Sequence, residues 1–343
     1  MKWFKRILRT LLFLTIILVL WNIKLISYGI DQLKGQIHIV MRARPIKEVL
    51  KNPTTKGIYK NKLPLIAEIK KFAVDSLGLK QTDNYTTFYD QYDKPVLWVL
   101  TASEPFALKA YQWYFPFLGN VSYKGFFIRQ NGEREKKMLD KKGLDTDLSP
   151  TGGWSTLGWF KDPVLSNFLK RPVGRIAETI IHELTHATVY LPSSVDYNEN
   201  LATFVGEKGA ERFLIYKYGA GSKQLEDYRH YKADEELYGN QFLKGTSRLD
   251  SLYRSFETTT LSVNEKLFLK YKTITQIMLE LNKQLFYTKK DYTFDFKKEK
   301  FPDNTWFLSN SRYRKNQEEF EKEFREKNGS DLKTFVLSII QKD

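Results

Sequence analysis

A chain of 343 residues is long enough for one large domain or two ordinary ones, and its 42% hydrophobic and 15% aromatic content supplies material for a core. It contains no cysteine, which excludes disulfides, thiolate metal ligands and a cysteine nucleophile. The formal net charge of +15 is scattered along the chain, without an RNA-binding aromatic motif, a zinc finger or a dense basic tail. We therefore expect a solvated basic surface and no nucleic-acid partner, with attraction to anionic lipid or an acidic polymer as the alternative.

The first 27 residues are typical of an export signal that is retained. An apolar run occupies residues 11–21, and extending it from Ile7 to Ile26 gives about 20 residues, the length of a bilayer core. No small-x-small cleavage site follows, so residues 1–27 predict an uncleaved transmembrane anchor, with a cleaved signal peptide as the alternative. Basic residues precede the run: Lys2, Lys5, Arg6 and Arg9. This charge bias predicts a single-pass protein of the cytoplasmic membrane whose catalytic part lies on the periplasmic or outer face.

Residues 28–343 contain no low-complexity linker and no internal repeat, so we expect one domain there. Segments rich in β-branched and aromatic residues between Tyr85 and Ile128 predict a few strands, and a Gly, Asp and Lys-rich stretch from Asn131 to Gly153 predicts an exposed loop or hairpin. Apolar positions three and four residues apart predict helices in Ile30–Leu50, Leu63–Leu77, Ile176–Tyr190, Asn198–Tyr218, Lys223–Phe256 and Leu261–Leu285, and two more at the C-terminus. The expected fold class is α+β and predominantly α-helical.

Two of the chain's four histidines lie in the sequence His-Glu-Leu-Thr-His, from His182 to His186. Residues four apart lie on one face of a helix, so both imidazoles can bind one cation. Catalytic zinc takes three protein ligands and keeps a fourth position for water. Glu183, between the two histidines, then has the position of a general base that takes the proton of that water. Mostly apolar neighbours predict a buried helix, in which two histidines need partners that a metal can satisfy.

The third ligand distinguishes classes of metallohydrolase. Val189 and Pro192 occupy the glycine and histidine positions of HExxHxxGxxH, which excludes a metzincin. A carboxylate on the next helix remains, after the break at Pro-Ser-Ser. Glu199 and Glu207 are both candidates, with Asp196 a distant third, and spacing alone does not choose among them.

Further side chains are candidates for supporting roles. Glu178, four residues before His182, is a candidate for contact with a ligand, and Glu207 or Asp162 could bind the α-ammonium group of a substrate. The segment Trp154–Phe160 could be an edge strand that pairs with substrate backbone, or a buried strand or turn. A hydrogen-bond donor is expected for the developing oxyanion. Its candidates are Tyr197, His230, Tyr231 and Tyr313.

Four segments resemble the predicted bacterial aminopeptidase family, a group of gluzincin-like metallopeptidases with HExxH and a downstream NExxA motif. They are Tyr28–Ile46, Trp154–Leu169, Arg175–Tyr190 and Asp196–Leu214. The resemblance covers most of the chain beyond residue 27. It implies a zincin-like fold, peptide substrates, one Zn²⁺ ion held by His182, His186 and Glu199, and Glu183 as the catalytic glutamate.

Together these patterns predict a zinc-dependent peptidase, an aminopeptidase, anchored in the membrane. The alternative is a non-catalytic, membrane-tethered binding or scaffold protein with a structural zinc site. Structural zinc normally has four protein ligands, and only three are apparent, which favours catalysis, as does an intact Glu183. No pattern in the sequence indicates an oligomeric state.

Overall fold

The structure is a computed structural model of the chain. It describes residues 3–7, 13, 22–116, 119–151, 161–192, 194–310, 317–326, 329 and 331–341. Two sequence predictions lie outside these residues, namely the possible edge strand at 154–160 and the candidate donor Tyr313.

The described residues are mostly helical, which confirms the predicted predominance of helix. The helices are α1 Ile23–Arg42, α2 Ile46–Lys51, α3 Gly57–Leu77, α4 Arg129–Asp140, α5 Val173–Thr188, α6 Val195–Tyr218, α7 Lys223–Ser255, α8 Val263–Asn282, α9 Lys289–Tyr292, α10 Asn304–Asn310, α11 Gln317–Glu326 and α12 Leu332–Ile340, with a 3₁₀ helix at Ser166–Lys170. The strands are β1 Arg44–Pro45, β2 Thr87–Tyr89, β3 Trp98–Ser103, β4 Trp113–Phe115, β5 Gly119–Val121, β6 Lys124–Phe126, β7 Asp145–Pro150 and β8 Val164–Leu165.

The described strands form three small sheets. In the first, of order β1-β2-β8, β2 pairs antiparallel with β1 and parallel with β8, with Phe88 opposite Val164. The second has β3 between β6 and β7, antiparallel to both. The third is the antiparallel pair of β4 and β5. Strand β8 of the first sheet is followed by the 3₁₀ helix and then by α5. The chain therefore passes directly from this sheet to the first helix of the candidate site.

The largest core cluster is built around α3, α5 and α6. Its fully buried members include Leu63, Ile66, Ile69, Ile176, Ile180, Ile181 and Phe213. Helices α5 and α6 form an antiparallel hairpin in which Gly206 faces the backbone of α5. A Cβ atom at Gly206 would lie 2.9 Å from the carbonyl oxygen of Glu178 and 3.2 Å from the Cβ of His182. The absence of a side chain at Gly206 therefore lets the two helices approach closely next to the first histidine.

Two predicted elements differ from the structure. The stretch 131–153 was expected to be a loop or hairpin, yet residues 129–140 form α4 and β7 follows. Helix α4 is made almost entirely of polar and charged residues, and only its Gly132 and Leu139 are buried. An ion pair from Arg129 to Glu133 spans one of its turns. The predicted helix over residues 30–50 is broken at 43–45, because a proline follows Arg44 and disfavours helical backbone there.

The prediction of a membrane anchor needs correction. In the part of the chain that the structure describes, no helix is both long enough and apolar enough to cross a bilayer. Helix α1, which follows the apolar run, carries Lys24, Asp31, Lys34 and Arg42, and charged side chains are costly in hydrocarbon. Most of the run itself, residues 14–21, lies outside the described residues. The transmembrane helix of the predicted fold, the membrane as a partner and the single-pass localisation are therefore withdrawn.

Candidate metal centre

Helix α5 carries His182, Glu183 and His186. It begins directly after Pro172 and ends at Thr188, and the backbone of Val189 is extended. Its core-facing side is made of Ile176, Ala177, Ile180, Ile181 and Leu184. Because an α-helix has 3.6 residues per turn, His182 and His186 leave the helix side by side, next to this apolar face.

Helix α6 places Glu199 opposite the two histidines. Five residues, 190–194, connect the helices after Val189, and Asn198 fixes the connection: its Oδ1 accepts a hydrogen bond from the backbone nitrogen of Leu191 at 2.9 Å, and its Nδ2 donates to the carbonyl oxygen of Leu191 at 2.8 Å. Asn198 is buried. The residue next to Glu199 thus holds the turn of the hairpin closed, which sets where α6 starts relative to α5.

Three side chains converge at one point of the hairpin. The Nε2 atoms of His182 and His186 are 3.1 Å apart. Each lies 3.5 Å from an oxygen of the Glu199 carboxylate. Two atoms bound tetrahedrally to zinc at about 2.0 to 2.1 Å lie roughly 3.3 Å to 3.4 Å from one another. The separations of these three donors therefore fit a zinc ion, and two imidazoles with one carboxylate form a donor set that suits it.

The three side chains remain open to solvent on one side. The exposed fraction is 20% for the side chain of His182, 22% for that of His186 and 48% for that of Glu199. A cation held here could therefore be reached by water and by a substrate.

The pKa values of Glu199 and His186 are shifted by the contacts among these three side chains. Hydrogen bonds from His182 and His186 hold the pKa of the Glu199 carboxyl far below its usual value. Burial alone would lower the pKa of His186, but the hydrogen bond to Glu199 and its negative charge outweigh burial and raise it. Glu199 is thus ionised and attracts positive charge to the two rings, as a ligand of a divalent cation must do.

Glu183 lies beside this group in a more enclosed environment. Burial raises the pKa of its carboxyl, against the attraction of His182 and His186, while the negative charges of Glu199 and Asp162 raise it further. Tyr85 is also close, since burial and the charges of Glu183 and Asp162 raise the pKa of its hydroxyl well above the usual value. The backbone nitrogen of Tyr85 donates to the carbonyl oxygen of Asp162 at 2.7 Å.

Tyr85 has a positive φ of 61°, which is uncommon for a residue other than glycine and recurs at functional sites. Sequence reasoning did not single it out. It is one of 20 tyrosines and belongs to no motif, so the sequence carries no signal for its position.

The predicted supporting residues have partners of their own. The ring of Tyr197 packs on Phe320, with centroids 5.4 Å apart. His230 stacks on Tyr287 at 3.9 Å. The hydroxyl of Tyr231 donates to Glu235, and its ring lies under the guanidinium of Arg175 at 4.2 Å.

Glu207 and Glu178 lie further along the hairpin, where Lys232 of α7 reaches both. The Nζ of Lys232 is 2.5 Å from Glu207, 2.6 Å from Glu235 and 3.5 Å from Glu178. Of the candidates for a third ligand, the structure brings Glu199 to the histidines and Glu207 to Lys232. No sequence signal pointed to Lys232, which lies 25 residues beyond Glu207.

Comparison with known proteins identifies a protein family that this chain matches. A family model described as "Putative aminopeptidase" matches residues 27–341, a span that includes α5, α6 and α7. No curated protein and no solved structure matches the chain.

Proposed function

The chain belongs to this aminopeptidase family, whose model it matches over residues 27–341, and from that premise we propose that it is a zinc-dependent peptidase that removes residues from the N-terminus of peptides. Peptidase activity in general follows from the family. The dependence on zinc rests on one observation above all, the convergence of His182, His186 and Glu199 next to the buried carboxyl of Glu183.

One zinc ion is the cofactor that the donors support. His182 and His186 would supply imidazole nitrogens and Glu199 a carboxylate oxygen, which is the ligand set of catalytic zinc sites that keep a position free. Zinc bound there would polarise the peptide carbonyl and lower the pKa of a water molecule to near neutrality.

Glu183 is the residue that would move the proton. Its Oε atom accepts a proton from the water whose oxygen attacks the carbonyl carbon. It then gives this proton to the nitrogen of the scissile bond, which leaves as an amine when the C–N bond breaks. Burial raises the pKa of Glu183, and a higher pKa makes its carboxylate a stronger base toward the proton of the water.

A structural role for the metal is the competing interpretation. A structural zinc ion normally has four protein ligands and is closed to water. Within the described residues, one group of three donors includes both histidines, and its Glu199 side chain is about half exposed, at 48%. The open side and the unused carboxyl of Glu183 support catalysis.

The restriction to N-termini is the finer part of the proposal and has a separate test. An aminopeptidase must pair the α-ammonium group of its substrate, because leaving that charge unpaired in a cleft is costly. Of the two candidate carboxylates for this pairing, Asp162 is the one that lies near Glu183, whereas Glu207 lies further along the hairpin, beside Lys232. We expect free peptides to be trimmed and N-acetylated copies to resist, as measured by mass spectrometry; equal internal cleavage of both would refute the restriction to N-termini.

The metallopeptidase itself is tested with the full-length protein and two variants. Glu183→Gln should keep one equivalent of zinc and lose about 10²- to 10⁴-fold in kcat, because an amide cannot accept the proton. Glu199→Gln should lose most of the zinc. Glu211→Gln, on the same helix but paired with Arg229 at the surface, is the matched control and should change neither. Near-normal turnover of Glu183→Gln, or full zinc occupancy of Glu199→Gln, would refute the proposed site.

A further inference from the structure

A partly buried charge network lies one helical turn from the candidate zinc site. Lys232 of α7 contacts carboxylates from three helices: Glu178 of α5, Glu207 of α6 and Glu235 of α7 itself. The side chains of Lys232 and Glu178 are only 20% and 21% exposed. The ammonium group of Lys232 therefore bridges both helices of the hairpin from the third helix that packs against them.

The aromatic hydroxyl of Tyr228 joins the same helices. It lies 3.2 Å from an oxygen of Glu178 and 3.4 Å from the backbone carbonyl of Glu207. Its ring packs on α5, where a Cβ atom at Gly174 would lie 2.5 Å from it. The network is thus held in place by packing as well as by charge.

Lys232 stays charged in this environment. Burial alone would lower its pKa, but the negative charges of Glu178, Glu207 and Glu235 outweigh burial and raise it. The three carboxylates have ligand atoms within 4.8 Å of one another, the spacing of a potential cation site, yet the ammonium group already provides their counter-charge. We therefore assign no second metal to this cluster.

The charge network shares both of its hairpin helices with the candidate metal ligands, so a shift of the network would move Glu199. Glu178 precedes His182 by one turn on the same face of α5, and Gly206, the point of closest approach, adjoins Glu207. Glu199 lies eight residues from Glu207 along one continuous helix, which is about 12 Å at 1.5 Å per residue. A tilt of about 5° at Glu207 would move Glu199 by about 1 Å, whereas metal–ligand distances tolerate changes of about 0.2 Å.

We infer that Lys232 is a positioning residue for the metal centre: by tying Glu207 of α6 to Glu178 of α5, it keeps Glu199 at coordinating distance from His182 and His186. This inference rests on the proposed zinc site. The described ion pairs of Lys232 are with Glu178, Glu207 and Glu235, and none is with the three candidate ligands. Without its ammonium group, the neighbouring carboxylates would repel one another and separate the two helices of the hairpin.

The experiment measures zinc affinity of the purified full-length protein by competition with a chromogenic chelator. Lys232→Met should bind zinc 10- to 100-fold more weakly, the range usual for residues that orient metal ligands. Lys232→Arg keeps the charge and should recover most of that loss. Lys270→Met is the matched control, because it likewise removes an ammonium group from a carboxylate, Asp145, but Lys270 lies on α8, outside the helices that carry the candidate site.

The control separates positioning from loss of stability. Both methionine variants are expected to unfold at lower temperature, yet only Lys232→Met should lose zinc affinity while folded, as judged by circular dichroism. If Lys232→Met does not fold, Lys232→Met/Glu207→Gln replaces it, since this variant leaves one fewer unpaired carboxylate and still lacks the link between the helices. Wild-type zinc affinity in the folded variant would overturn the inference. Failure of the unmodified protein to bind zinc would instead overturn the proposed function.

Discussion

Gly206→Ala tests how closely α5 and α6 must approach for the site to form. The added methyl group would lie 2.9 Å from the carbonyl oxygen of Glu178 and 3.2 Å from the Cβ of His182. Both atoms belong to α5 or its first side-chain carbon, so neither can rotate away. Since favourable contacts begin at about 3.5 Å, the helices must separate locally by about 0.5 Å.

The energetic consequence can be estimated from two opposing effects. Overpacking of this kind costs about 1 to 3 kcal/mol, and the better helix propensity of alanine returns up to about 1 kcal/mol. We expect a net loss of about 0 to 3 kcal/mol in the free energy of unfolding. A separation of about 0.5 Å also exceeds the tolerance of metal–ligand distances, so zinc affinity should fall by on the order of 10-fold.

The assay pairs urea unfolding with chelator competition, and Gly29→Ala serves as the control. Gly29 lies inside α1, with nothing within 4 Å of a Cβ atom among the described residues. The control should gain up to about 1 kcal/mol from helix propensity and leave zinc binding unchanged. If Gly206→Ala gained stability as the control does and kept full zinc affinity, the close approach would not matter for the site.

Two further predictions concern charge. Lys270 is fully buried and donates to Asp145 and to the carbonyl oxygen of Pro105, so Lys270→Met should lower the free energy of unfolding by about 3 to 5 kcal/mol. Lys71 belongs to an exposed ion pair, so Lys71→Met should change that free energy little. Similar urea midpoints for the two variants would contradict this prediction. Zinc affinity should rise with pH, because the metal displaces protons from histidine. Although burial opposes it, Glu199 raises the pKa of His186 in the metal-free protein. As the pH is lowered, zinc affinity should therefore begin to fall while the pH is still above the usual histidine pKa of about 6.5. An affinity that stays constant from pH 8 to pH 6 would contradict the proposed ligands.

Much of the helical layout was accessible from sequence because long amphipathic segments repeat their apolar residues every three or four positions. Helices α5 and α6 have many fully buried positions, and the prediction placed both. Helix α4 was missed because it buries only Gly132 and Leu139 and is stabilised at its surface by ion pairs such as that of Lys136 with Asp140. A search for the spacing of apolar residues needs apolar residues, and the sequence of α4 is almost wholly polar and charged.

The pair of histidines was equally accessible, since two residues four apart in a helix share a face whatever the rest of the chain does. The third candidate ligand was not accessible from spacing, and only the family resemblance pointed to Glu199. Glu199 and Glu207 lie on the same helix within reach of α5, and each is compatible with a hairpin of this kind. What separates them is the partner each carboxylate meets, and that depends on how a later helix packs.

That later helix is α7. A carboxylate that pairs with a largely buried lysine is stabilised by that pair, and removing it to bind a metal would cost the ammonium group one of its carboxylate partners. Glu207 is in this position because Lys232 reaches it at 2.5 Å, while Glu199 faces only the two imidazoles of α5 among its described ion-pair partners. The residue that disfavours Glu207 as a ligand is therefore the same residue that fixes α6 against α5. On this proposal Lys232 both disfavours Glu207 as the third ligand and keeps Glu199 in place. The spacing of Glu199 and Glu207 from the histidines carries no information about Lys232.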